Sequence, residues 1–225
     1  MGLEMNRRMF LGGLAAAAIP ARAAVPAPTA PVAIAKSKSY DESLVVLSKL
    51  MDQLGGLGKM VKGKTVVFKI NFTGGAGNRA GYLPNGRTYW SNPYHLGAMI
   101  TLCDRAGARR IRIAEGVDTA GDTLEEYMYR ASWFDVHALQ TAAPRVEFVN
   151  SNIGYPSKTP YMRFKVPNGG HLYPAYDLNS VFDQNDFLIS LTKVKEHTTA
   201  GVTISMKNMF GATPLTIYGP NAVVY

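Results

Sequence analysis

Apolar positions change their period several times along the chain, and each change predicts an element. After a capping pattern at Ser39-Tyr40-Asp41-Glu42, residues Leu44, Leu47, Met51 and Leu54 recur at helical spacing until Gly55-Gly56 stops them. Thr65-Val66-Val67-Phe68-Lys69-Ile70 is a short β-branched and aromatic run, the pattern of a buried strand, and Asn71 follows at its carboxyl end. Phe72 to Ser91 has no period and predicts a long loop. Asn92-Pro93 reads as an N-cap followed by proline at the first helical position; Leu96, Met99, Ile100 and Cys103 form the apolar face, and Gly107 ends it.

The alternation then continues. Arg110 to Ala114 predicts a strand closed by Glu115-Gly116, and Asp122 is expected to cap a helix with Leu124, Tyr127, Met128 and Ala131 on its buried face. Val146 to Val149 is a further strand. Tyr161 to Val166, the turn Asn168-Gly169-Gly170 and His171-Leu172-Tyr173 predict a hairpin attached to the sheet. Phe187 to Leu191 is an apolar strand running into Thr192-Lys193-Val194-Lys195-Glu196-His197. Strands separated by helices define an α/β class: a mainly parallel sheet with helices on both faces, plus a small hairpin insertion. No internal repeat is present.

The first residues follow another logic. Arg7-Arg8 stands directly before an apolar stretch from Met9 to Ile19, and Ala21-Arg22-Ala23 is a small-x-small cleavage pattern. The stretch is shorter than the ~20 residues that cross a bilayer, and its Ala and Gly content resembles a twin-arginine (Tat) signal. Residues 1–23 are therefore expected to be a Tat signal peptide cut after Ala23, residues 24–38 an Ala/Pro-rich tether, and 39–225 one α/β domain. The expected location is periplasmic or otherwise extracytoplasmic, with the Tat translocase as a transient partner and no transmembrane anchor after cleavage. Asn221-Ala222-Val223-Val224-Tyr225 carries no stop signal, which predicts truncation from a longer chain.

Composition narrows the chemistry. Of 225 residues with a formal charge of +8, the leader takes three basic residues and one acidic one, leaving +6. Without a basic run of five or more, a nucleic-acid arm is not expected, while attraction to a small anionic ligand is. The single cysteine, Cys103, lies in a helical pattern and cannot supply the four thiolates of an iron–sulfur cluster. Gly58 to Thr65 matches G-x-x-x-x-G-K-[ST], yet a helix precedes it and a strand follows, the reverse of a phosphate loop. Gly75 to Gly81 is one residue too long for a dinucleotide fingerprint. Neither a G-x-S-x-G elbow nor an H-E-x-x-H zinc motif occurs.

The candidate site comes from two strand ends, Lys69-x-Asn71 and the lysine-rich stretch after Phe187. If the latter stays extended, Lys193, Lys195 and His197 share one face. If the next segment is helical, Thr203 and Lys207 share a face with Asn208 beside them. Lys69, Asn71, Lys193, Lys195, Thr203, Lys207 and Asn208 are thus expected to bind a small anion at the sheet's carboxyl edge. His197 and Glu115 are the candidate acid and base. With water, this pair would also make a metal site. An enzyme acting on a small anion and a periplasmic binding or accessory protein without catalysis both remain open.

Lys69-x-Asn71, Ala114-Glu115-Gly116, Lys193-Val-Lys195-Glu-His197 and Thr203-x-x-x-Lys207-Asn208-x-Phe210-Gly211 together resemble the domain of unknown function 362 family over Val66 to Pro214. The resemblance names no reaction. It implies frequent export and, in members with added ferredoxin-like cysteine motifs, association with iron–sulfur redox chemistry. With one cysteine here, no cluster is expected from this chain alone.

Overall fold

A computed structural model describes residues 29–117, 122–131, 135–153 and 161–219. The signal-peptide expectations at Arg7, Arg8 and Ala23, part of the tether, and residues 220–225 lie outside them. The chain divides into Met1–Val32 and Ala33–Tyr225, and all that follows concerns the second unit. Among the described residues, no helix is long and apolar enough to cross a membrane.

Ten strands are described: β1 (Thr65–Lys69), β2 (Arg79–Ala80), β3 (Leu83–Pro84), β4 (Arg110–Glu115), β5 (Val146–Asn150), β6 (Tyr161–Lys165), β7 (Ala175–Asn179), β8 (Phe187–Ser190), β9 (Lys195–His197) and β10 (Gly201–Thr203). Four of them, in the order β5-β4-β1-β8, form an all-parallel sheet. In chain order these are the third, second, first and fourth, so the winding reverses between β1 and β8. Such a reversal opens a crevice at the carboxyl ends, where α/β sheets hold ligands.

The α/β class follows from strand alternation. Val66, Phe68, Ile70, Ile111 and Ile113 point into the larger core, where they meet Leu57, Val61, Leu96, Ile100, Cys103, Leu124, Met128 and Leu139 from the helices. Val67 and Ala114 point the other way, into a smaller cluster with Val149 and Val181. Helix Pro93–Arg105 starts as its sequence requires, with the Asn92 side chain accepting from Tyr94 N at 2.9 Å. Losing such a cap costs about 1 kcal/mol.

Several local expectations are corrected. Ser39 caps a short 3-10 turn, Tyr40–Glu42, and Glu42 reaches back to Ser37 and Lys38, so the α-helix starts only at Ser43. The Phe72–Ser91 loop contains the β2–β3 hairpin and a helical turn, Asn85–Thr88. Thr123, not Asp122, caps helix Leu124–Arg130, because its hydroxyl can close a reciprocal pair with Glu126 three residues on. The partner of β6 is β7, beyond His171-Leu172-Tyr173, and the two form a separate antiparallel sheet. Gly201–Thr203 is strand, pairing Thr203 with Lys195, and the next helix begins at Ser205. Thr203 and Lys207 therefore do not share a helical face.

Candidate functional site

The crevice between β1 and β8 is closed by side chains that span it. Ser91 Oγ accepts from Asn71 N at 2.9 Å and donates to the Leu191 carbonyl at 2.6 Å. Asn208 Nδ2 donates to the Lys69 carbonyl and to Ser190 Oγ, each at 2.9 Å. One hydroxyl and one amide thus fix the ends of both strands relative to each other.

Under this bridge lies an ion pair. Lys69 Nζ is 2.9 Å from both Glu115 oxygens, 2.7 Å from the Ile70 carbonyl and 3.3 Å from Asn208 Oδ1. Glu115 also accepts from Phe72 N at 3.1 Å and Gly116 N at 3.0 Å. Burial raises the Glu115 pKa, while Lys69 and these amides oppose the rise. Among the described residues each of its hydrogen-bond partners is a donor, a set that suits a carboxylate.

The remaining lysines gather around the pair. Lys195 Nζ donates to Asn71 Oδ1 at 2.5 Å and to the Tyr89 carbonyl at 2.6 Å, and Lys193 Nζ donates to the Arg87 carbonyl at 2.8 Å. Partial burial, then Lys193, with smaller contributions from Lys207 and Lys69, push Lys195 down to about 8, while Glu115 acts in the opposite direction. Burial also lowers Lys193. Burial first, and Lys193 second, lower His95 nearby. Lys207 Nζ lies 4.9 Å from the centre of the Phe210 ring.

A cavity of about 220 Å³ opens on this cluster, lined in part by Lys69, Asn71, Glu115, Lys207, Asn208 and Phe210. Its wall is placed by aromatic packing: Phe72 stacks on Trp90 at 4.3 Å and Trp90 on Tyr127 at 5.3 Å. Trp90 Nε1 and the Tyr127 hydroxyl donate to the carbonyls of Thr73 and Gly74, holding that segment at the rim. Gly211 completes the floor. A Cβ on it would stand 3.2 Å from Lys69 Nζ and 3.7 Å from Glu115 Oε1, a close approach that glycine permits.

Five of the expected residues thus meet at the cavity: Lys69, Asn71, Glu115, Lys207 and Asn208. Lys195 and Lys193 flank it through their bonds to Asn71 and to the Arg87–Tyr89 segment. Thr203 is buried beside Lys195, and its hydroxyl has no hydrogen bond among the described residues. His197 goes elsewhere. Its Nδ1 accepts from Thr199 N at 3.2 Å and Ala200 N at 3.1 Å, closing the β9–β10 turn, and His197 does not line the cavity. Residues 191–194 join no strand ladder, so Lys195 and His197 share strand β9 while Lys193 precedes it.

Ser91, Ser190, Tyr89 and Asn152 escaped the sequence reading. The polar run Asn150-Ser151-Asn152, which starts at the last residue of β5, carries the same strand-end signal as Lys69-x-Asn71; Asn152 Oδ1 accepts from Leu215 N at 2.9 Å beside the cavity. Ser91 had no such signal. Cys103 is fully buried, and burial pushes its thiol up to about 12. Among the described residues no three His, Cys, Asp or Glu side chains cluster as a metal site.

The fold and site define a parallel α/β protein with a lysine-rich pocket at the sheet's switch point. The family model described as Domain of unknown function (DUF362) matches residues 66–219, a span holding the sheet from the second residue of β1 onward and every lysine of the pocket. The chain belongs to this family. No curated protein and no solved structure matches it.

Proposed function

We propose that this is an exported protein whose cavity binds a small anion. The observation that carries the reading is the convergence of Lys69, Lys193, Lys195 and Lys207 around Asn71 and Asn208 with Glu115 as the opposing carboxylate. Lys69 is neutralised by Glu115, which leaves three ammonium groups in excess. Their mutual repulsion destabilises the empty site, and an anion relieves it. Lys207 lines the cavity and supplies an ammonium to the ligand; Lys195 and Lys193 add field from the rim.

Thermal melts across phosphate, sulfate and dicarboxylates test this reading. An anion at a hundred times its dissociation constant stabilises the fold by about 2.7 kcal/mol. The shift should shrink in Lys207→Ala and in Lys193→Ala with the circular dichroism spectrum kept. No shift with any anion, or full shifts in both variants, would show the lysines to be a solvated rim.

Export by the Tat route, with the translocase as partner, is supported by Arg7-Arg8 and the short Ala-rich stretch after them. Mass spectrometry should find a mature terminus following Ala23. Retention of Met1, or export unaffected by paired Arg7→Lys and Arg8→Lys, would overturn this part.

A further inference from the structure

Anion binding does not explain why one lysine is held against two acceptors in the midst of other cations. Lys69 is committed to Glu115, and its side chain is 1% exposed. Lys207 packs over Phe210, and Lys193 is tied to the Arg87 carbonyl. Lys195 differs. Its nitrogen is fixed by Asn71 Oδ1 and the Tyr89 carbonyl, and it is half-buried among Lys69, Lys193 and Lys207.

A protonated amine has three N–H donors, and a neutral one has two donors and a lone pair. Two fixed acceptors hold two of the Lys195 N–H groups and leave the third position, a proton in the charged form and a lone pair in the neutral one, without a fixed partner among the described residues. The charged groups acting on the amine are Lys193, Lys207 and Lys69, which disfavour the proton, and Glu115, which favours it; the Tyr89 ring lies 5.9 Å away. Desolvation together with neighbouring cations is the arrangement that makes a lysine nucleophilic.

Building on the anion pocket proposed above, we infer that Lys195 is an amine nucleophile that forms an imine with a small 2-oxo acid. Lys207, in the cavity wall, meets the carboxylate, while Lys195, held at the rim on the cavity-lining Asn71, attacks the adjacent carbonyl carbon. A C=N bond replaces C=O, and the oxygen leaves as water with both amine hydrogens. No oxidant or reductant enters. The cavity of about 220 Å³ holds about seven water volumes at ~30 Å³ each, the scale of a three- to five-carbon acid.

Trapping decides the matter. Wild type and Lys195→Arg are incubated with pyruvate and sodium cyanoborohydride, which reduces an imine to a stable amine, and adducts are located by intact mass and peptide mapping. The expected result is one dominant adduct on Lys195, slowed at least tenfold by saturating sulfate, faster as pH rises through about 8, and absent from Lys195→Arg. Equal labelling of surface lysines, or an unchanged adduct in Lys195→Arg, would overturn the inference. Sulfate-dependent melting of both proteins reports the pocket separately. A shift without a Lys195 adduct removes the nucleophile and keeps the pocket, whereas no shift in either protein removes the pocket reading itself.

Discussion

Lys69 and Glu115 come from adjacent parallel strands and meet at 2.9 Å with side chains only 1% and 5% exposed. The register puts Lys69 opposite Ala114, so Glu115 lies one residue beyond it and the lysine chain reaches forward over the strand end. Breaking a buried pair leaves an unpaired charge, which costs about 3–5 kcal/mol. Lys69→Met and Glu115→Gln should each lower stability by that order in urea unfolding, and the double variant should lose less than the sum. Additive losses would mean that the two groups are stabilised independently.

Gly211 predicts a smaller effect at the same place. The Cβ of Gly211→Ala would press on Lys69 Nζ at 3.2 Å, and that nitrogen is held by the Ile70 carbonyl, Glu115 and Asn208. Overpacking of this kind costs about 1–3 kcal/mol. Chemical denaturation of Gly211→Ala should show the loss, and Lys69→Met should reduce it by removing the obstructing nitrogen. A neutral Gly211→Ala would show that the floor of the cavity yields.

How far all this was legible in the sequence depends on the range of the interactions. Period-two and period-3.6 patterns exposed the sheet and its main helices because alternation is local, and strand ends pointed to Lys69, Asn71 and Glu115. What joins them is not local. Asn208 meets Lys69 across 139 positions and Lys195 meets Asn71 across 124. Period two places His197 on β9 with Lys195 but does not show that Thr199 N and Ala200 N, in the turn that follows, donate to its Nδ1. No count of apolar positions could separate a turn-closing imidazole from a site imidazole.

The depressed pKa of Lys195 sets a pH dependence. In the folded protein it lies at about 8, below its ordinary 10.5, so between these values the unfolded chain holds the proton and the native chain has lost it. Stability of the ligand-free protein should therefore rise with pH across that window, relative to Lys195→Gln. Anion affinity should move the opposite way, falling as pH passes about 8. Parallel melts with and without sulfate from pH 7 to about 10.5 check both signs. Curves that superimpose on those of Lys195→Gln would place this lysine outside the cluster.

Glu147, which does not line the cavity and pairs with Arg112 in the sheet, gives the acid-side counterpart. Arg110 grips it through Nε and Nη2, both at 2.7 Å, and Arg112 Nε stands 3.3 Å away. The Arg110 hydrogen bonds hold its carboxyl below the ordinary 4.5, partly opposed by burial. Stability from this group is present above 4.5 and is lost as pH falls through the lower folded value, so Glu147→Gln should flatten that part of the acid limb. An acid limb of unchanged slope in Glu147→Gln would assign the loss to other carboxylates.

His197 supplies the last test, because its role separates fold from site. Two backbone amides donate to its Nδ1, and each such bond contributes about 0.5–1.5 kcal/mol. His197→Ala removes the acceptor, so the β9–β10 turn should loosen and the melting temperature fall. Lys195 lies two residues back on β9, yet its nitrogen is anchored by Asn71 and Tyr89, outside the turn. The anion-dependent melting shift should therefore survive in His197→Ala even though the baseline drops. His197→Asn, whose shorter side chain carries an oxygen able to accept from the same amides, should recover part of the stability. Loss of the anion response in His197→Ala with the circular dichroism spectrum intact would return this histidine to the site.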